Sequence, residues 1–304
     1  MNGILTPFRK AVLVTVFMIV LPGGTTIAGA DETSFGPRFR QATIDWLNDL
    51  APTQAADCIY PFDQRSRQAT QFPGGHRDGI PISSLETESR QQLESILRML
   101  LSDRGWKRAL HVAAQGAPGG LGKYYVACFG DPRSEDDFAW RIAEHHLTIL
   151  HVDFEDDTLS EFGPILLGAN PPTLWFEEED AILALAETLG SQGADTVTGH
   201  GIASEQMADG IGMPVASLNG AARQALDAIW AIRLSVFSEP VRERLNHITT
   251  SRGGLDNMRL AFYNEPAKQR CVDGGRWDWK LSGEGFLLDF ETSRAHVHMS
   301  LWAK

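Results

Sequence analysis

The sequence predicts an α+β fold made by internal duplication, with an antiparallel-rich sheet or pair of sheets, helices packed on one face and pseudo-twofold symmetry. Two observations predict it. Residues 125–132 (YVACFGDP) resemble residues 259–266 (RLAFYNEP), with Ala127 on Ala261, Phe129 on Tyr263, Asp131 on Glu265 and Pro132 on Pro266. Further on, residues 140–147 (WRIAEHHL) line up with residues 279–286 (WKLSGEGF), after a loop five residues longer in the second copy. Chance could produce either match alone. Two in the same order, each preceded by helical patterning, make duplication the better explanation. The repeats span about 81–160 and 215–304. No linker-like boundary separates them, so residues 31–304 are expected to form a single domain.

Helices open each copy. Ser83-x-x-Glu86 has the form of a capping box, in which each side chain satisfies a free backbone N–H at a helix start. Behind it Leu85, Leu93, Ile96, Leu97, Leu100 and Leu101 recur at helical spacing, Gly105 reads as the stop, and a short second helix is expected over 107–115. The counterparts are 219–237, with Leu226, Ile229, Trp230, Ile232 and Leu234, and then 240–248. Each copy thus reads helix, helix, strand, turn, strand, hairpin, strand. A linking helix is expected over 177–189. Its opening acids Glu177, Glu178 and Glu179 suit the positive end of a helix dipole and read as a solvated start, with Gly190 as the stop. The Gly-rich stretch 191–214 is the best loop or lid candidate.

The first thirty residues read as a cleavable signal peptide. Arg9 and Lys10 precede the apolar run 11–21, Pro22-Gly23-Gly24 breaks the helix, and Ala28-Gly29-Ala30 supplies small residues for a peptidase. A membrane span needs roughly twenty apolar residues, so a run this short predicts cleavage near Asp31 and not an anchor. The expected location is periplasmic or extracellular, with no membrane association after cleavage. A net charge of −12, more negative still without the leader, repels phosphate backbones and excludes nucleic acid as an expected partner. In an oxidising compartment Cys58, Cys128 and Cys271 suggest one disulfide and one buried thiol, with the pairing open.

Two histidine motifs carry the candidate chemistry. Glu144-His145-His146 falls at the hairpin of the first copy, where the second copy has Glu284-Gly285 in place of His145-His146. Period two then groups Glu144, His146 and Thr148 on one face and His145, Leu147 and Ile149 on the other. His296-Val297-His298 lies on the last strand, with Arg294, His296, His298 and Ser300 on one face. A His-x-His pair on a strand offers two imidazoles from one side, as many zinc and copper sites do. His145, His146, His296 and His298 are therefore the candidate ligands of a divalent transition metal, zinc or copper. Glu144 is the candidate general base. Alternatively, these histidines cap hairpins or bond the backbone, and His145, flanked on its face by Leu147 and Ile149, is the most structural of them.

Other features are weaker. His200 lies in the Gly-rich stretch, and Asp153, Glu155, Asp156 and Asp157 lack the spacing of a calcium loop and read as a solvated strand end. The glycines at 116, 119, 120 and 122 precede a strand, so they are no nucleotide loop. No G-x-S-x-G or H-E-x-x-H motif occurs. Trp140, Trp277, Trp279 and Trp302 could line a ligand groove or anchor a core.

Trp140-x-Ile-x-Glu-His-His-Leu147, Pro164-x-x-x-Gly-Ala-Asn-Pro171 and His296-Val-His298-x-x-x-Trp302 together resemble the family called domain of unknown function 3500. The resemblance covers nearly all of the chain after the leader and implies that the two histidine motifs belong together. Glu144 stands where that family usually has Gly. No activity comes with the resemblance. The expected function is an exported metal-binding protein or metal-dependent enzyme. A non-catalytic secreted module that binds a small ligand or glycan is the alternative.

Overall fold

The computed structural model describes residues 35–63, 78–116, 119–154, 162–190, 212–292 and 296–303. The leader, His200, residues 155–157 and nearly all of the Gly-rich stretch lie outside the described residues.

Among the described residues the fold is mixed α/β, with seven helices and one large, mostly antiparallel sheet. The helices are α1 (Phe35–Asp49), α2 (Pro52–Cys58), α3 (Thr87–Leu100), α4 (Asp103–Gly116), α5 (Phe176–Leu189), α6 (Gly220–Leu234) and α7 (Glu239–Ser251). The strands are β1 (Ile59–Tyr60), β2 (Ile80–Pro81), β3 (Tyr125–Phe129), β4 (Phe138–Glu144), β5 (Leu147–Asp153), β6 (Phe162–Ala169), β7 (Met213–Pro214), β8 (Arg259–Asn264), β9 (Trp277–Gly283), β10 (Phe286–Thr292) and β11 (Val297–Ala303). Their order is β1-β3-β4-β5-β6-β11-β10-β9-β8-β7, with β2 also on β3, and among the described pairs only β1 and β3 run parallel.

Read inward from its two edges, the sheet meets β3, β4, β5, β6 from one side and β8, β9, β10, β11 from the other, with β6 against β11 at the centre. The connections match too. Gly79-Ile-Pro-Ile-Ser-Ser-Leu85 and Gly212-Met-Pro-Val-Ala-Ser-Leu218 each start at a left-handed glycine, φ 103° and 88°. A Cβ on either would strike a carbonyl of the next strand, Val126 O or Leu260 O. The following N–H groups also match: Ile82 N donates to Tyr124 O at 2.8 Å and Val215 N to Met258 O at 2.9 Å. Where the halves meet, the α3–α4 corner pairs with the α6–α7 corner through Leu101 and Phe237.

Local chemistry explains most element ends. Leu93, Ile96, Leu97 and Leu100 form the buried stripe of α3. Asn219 caps α6 by accepting Ala222 N at 2.9 Å. Gly190 ends α5 at φ 53°. Four expectations need correction. The Ser83/Glu86 capping box does not form: α3 starts at Thr87, Glu86 makes no side-chain cap, and Ser83 lies in a one-turn 3₁₀ segment. Gly105 is no stop; it opens α4, where a Cβ would meet Val236 O at 1.8 Å. The acidic start of α5 is not solvated throughout: Glu178 is 3% and Glu179 0% exposed, the former paired with Arg108. Asp153 is likewise buried, and accepts Arg40 Nε at 2.9 Å.

The sheet's two faces differ. Trp140, Ile142, Trp279, Leu281, Leu288, Phe290, Met299 and Leu301 belong to one apolar cluster with Trp46, Leu97, Leu226 and Leu245 of the helices. Alternate residues face the other way: Arg141, Thr148, Lys280, Asp289, His298 and Ser300. There a smaller apolar group, including Phe129, Leu150 and Val152, lies toward the β1 edge. Trp140, Trp277 and Trp279 are fully buried core anchors, which removes them from any ligand groove, whereas Trp302 is half-buried. All three cysteines are buried thiols. Among the described residues, no helix is long and apolar enough to cross a membrane.

Candidate metal centre

The site forms where the β4–β5 turn meets the start of β11, on the polar face. Glu144 pairs with Leu147 across the hairpin, so His145 and His146 are its two-residue turn and not the start of a strand. The alternation expected from period two therefore stops before them. His146 has φ 73°, a left-handed conformation uncommon outside glycine. In the β9–β10 hairpin Gly285 occupies the matching position at φ 64°. This backbone lets the two imidazoles lie against each other, tilted by 35° with centroids 3.8 Å apart, where a strand would have sent them to opposite faces. The histidine expected to be the most structural, His145, thus belongs to the group.

From the other side, the pleat of β11 presents His298, and His296 just precedes the strand. His296 Nε2 lies 2.5 Å from His146 Nε2 and 3.0 Å from His298 Nε2. One ligand atom from each of His145, His146, His296 and His298 fits within a group whose members all lie within 4.8 Å of one another. A tetrahedral shell with bonds of about 2.0 Å spaces its nitrogens about 3.3 Å apart, so shifts of under about 1 Å would seat an ion.

Gly168 is the floor. It sits across from His298 on β6, and its N–H donates to His146 O at 2.7 Å. A Cβ there would lie 2.7 Å from His298 Cδ2, 2.8 Å from His146 Cδ2 and 2.9 Å from Val297 O. The glycine of the Pro164–Pro171 motif is thus explained by close approach of two imidazoles and a carbonyl, with no need for a special φ.

The surroundings disfavour the charged form of His146, His296 and His298. Burial first, then the neighbouring His145, His296 and His298, push His146 down to about 3. Burial, then His296 and His145, bring His298 to about 4, and burial lowers His296. Each neutral ring offers a lone pair. Several lone pairs aimed at one point repel unless a proton or cation lies between them, and His146 Nδ1 is buried without a hydrogen-bond partner.

Glu144 lies at the rim. Its Oε1 accepts His145 N at 2.9 Å, and Tyr124 Oη donates to His145 O at 3.2 Å. Burial and then the Glu144 charge raise the Tyr124 phenol above its ordinary value, keeping it a donor. Two further groups carry no sequence motif. Glu291 is the direct cross-strand partner of His298 and lies 3.5 Å from Lys280 Nζ. Glu179 accepts Cys271 N at 2.7 Å, and the Cys271 thiol approaches His296 O at 3.8 Å, linking α5 to the His296 backbone. Only strand register and helix placement reveal them.

The family model described as "Protein of unknown function (DUF3500)" matches residues 35–302. The chain belongs to the DUF3500 family. No curated protein and no solved structure matches it. The matched range includes the hairpin, the Gly168 strand and the terminal His-x-His, and all three meet at this centre.

Proposed function

We propose that this DUF3500 protein is an exported metal-binding protein whose centre is His145, His146, His296 and His298. One observation carries the reading: neutral imidazoles from segments about 150 residues apart converge on a single point, with Nε2 separations of 2.5 and 3.0 Å. An all-imidazole set without thiolate suits zinc or copper. A divalent ion there would supply Lewis acidity, and Glu144 is the carboxylate placed at the rim to accept a proton. Export rests on the leader-like residues 1–30.

The matched order of the strands, the paired Gly-x-Pro segments and the equivalent hairpin turns support an origin by duplication about a pseudo-twofold axis, with helices on one face and the metal centre retained in one half.

Metal analysis of untagged protein tests the reading. About one equivalent of zinc or copper is expected, falling below about a tenth in the His296→Ala, His298→Ala double variant. Unchanged metal content in that variant, or none in the wild type after loading and desalting, would sink it.

A further inference from the structure

Two of the three cysteines meet at the sheet edge farthest from the second half, independently of the histidines. Cys58 ends α2, and the next residue, Ile59, is the parallel-register partner of Cys128 on β3. The Cys58 Sγ lies 3.5 Å from Val126 O, over β3 beside Cys128. Both side chains are 0% exposed and share the apolar cluster that β3 faces. The contact between the thiols, followed by burial, raises Cys128 well above an ordinary thiol. Cys271 is remote in the fold, in the 3₁₀ turn Cys271–Asp273 behind His296.

We infer that Cys58 and Cys128 are a disulfide-forming pair, and that their bridge staples α1, α2 and β1 to the first half of the sheet, with Cys271 outside the bridge. The pair is sealed from solvent in the folded chain, so the bridge closes during folding, before burial. The oxidant is a dithiol carrier in its disulfide form, or a small-molecule disulfide. One cysteine thiolate attacks the oxidant's S–S bond, forming a mixed disulfide and releasing one thiolate of the oxidant. The second cysteine thiolate then attacks the protein sulfur of that mixed disulfide and expels the oxidant's other sulfur. Two electrons and two protons pass from the cysteines to the oxidant, which leaves reduced. Edge placement gives the bridge its purpose: β1 is two residues long and its neighbour α2 has seven, too little to hold that edge by ladder bonds alone.

The full chain, denatured and reduced, is refolded in a glutathione redox buffer containing a chelator, so that the result is independent of the metal reading. It is then unfolded and alkylated with N-ethylmaleimide without reduction, and analysed by mass spectrometry of intact chain and peptides. The expected product carries one maleimide, on Cys271, with a Cys58–Cys128 cross-linked peptide. Cys271→Ala should keep the bridge, and Cys58→Ala with Cys128→Ala should refold with Tm lower by roughly 5–10 °C. Three maleimides per chain, or a bridge containing Cys271, overturns the assignment. So does a Tm in the double alanine variant that equals that of the oxidised wild type.

Discussion

The turn between β4 and β5 and the turn between β9 and β10 have the same length and the same left-handed second position, yet only one carries imidazoles. In the second half Glu284-Gly285 makes the turn with the residue best suited to φ 64°, and Arg252 Nη1 ties Gly285 O at 2.6 Å. There the turn lines a polar cavity of about 620 Å³ with Arg252, Asn257 and Phe286. In the first half a histidine takes the strained position, Tyr124 ties the turn, and the space is filled by rings. A conformation that disfavours a side chain persists where the surroundings over-determine it, and such positions cluster at functional sites. The two hairpins therefore have the same turn geometry and differ in what it holds.

Converting the first turn to the second gives the largest effect. His146→Gly should leave the hairpin folded, with unchanged far-UV circular dichroism. Metal affinity should fall by roughly 100- to 1,000-fold, since one ligand of four contributes about a quarter of the roughly 10–16 kcal/mol of a structural zinc site. Competition against a chelator measures it; an unchanged constant would show that His146 is no ligand.

Next comes the floor. Gly168→Ala keeps every ligand but puts a methyl group within 2.8 Å of two rings, so metal affinity should drop by roughly 10- to 100-fold. Gly283→Ala is the matched control. Its Cβ would meet the Met258 Cγ at 3.2 Å, which a flexible side chain can relieve, so melting and metal binding should stay close to wild type. Equal losses in both variants would mean that the glycines matter only for the backbone.

The smallest effect concerns the contact behind His296, which has no equivalent at the second turn. Burial lifts the Glu179 carboxyl from 4.5 to about 7. The folded chain then holds a proton that the unfolded chain has shed, so its contribution is complete below pH 4.5 and lost as pH rises through 7. Glu179→Gln keeps the acceptor for Cys271 N and abolishes that loss. Relative to wild type the variant should gain about 1–3 kcal/mol between about pH 5 and pH 8, read from urea midpoints. A pH-independent difference would show that Glu179 is ionised throughout.

Long apolar periodicities were legible: the buried stripes of α3 and α6, the alternation of β11 and the hairpin positions all follow from spacing. Signals resting on one or two residues were not. Ser83 and Glu86 have the letters of a cap, but the 3₁₀ turn that hydrogen-bonds to Tyr124 takes the place of the expected first helical turn. Gly105 looks like a stop, but closeness to Val236 is what requires it. Glu178 and Glu179 look solvated because Arg108 and the Cys271 N–H that bond to them lie 70 and 92 residues away.

By itself the sequence determined the family, the element types and the two histidine motifs, because local periodicity and short motifs are properties of neighbours along the chain. Tertiary structure alone decided that four imidazoles share one point, that Gly168 makes room for them, that Glu291 pairs across from His298, and that Glu179 reaches the His296 backbone through Cys271. Those facts depend on strand register and on a left-handed turn at His146. Both are set by long-range pairing, in which a shift of one residue would send every side chain to the other face.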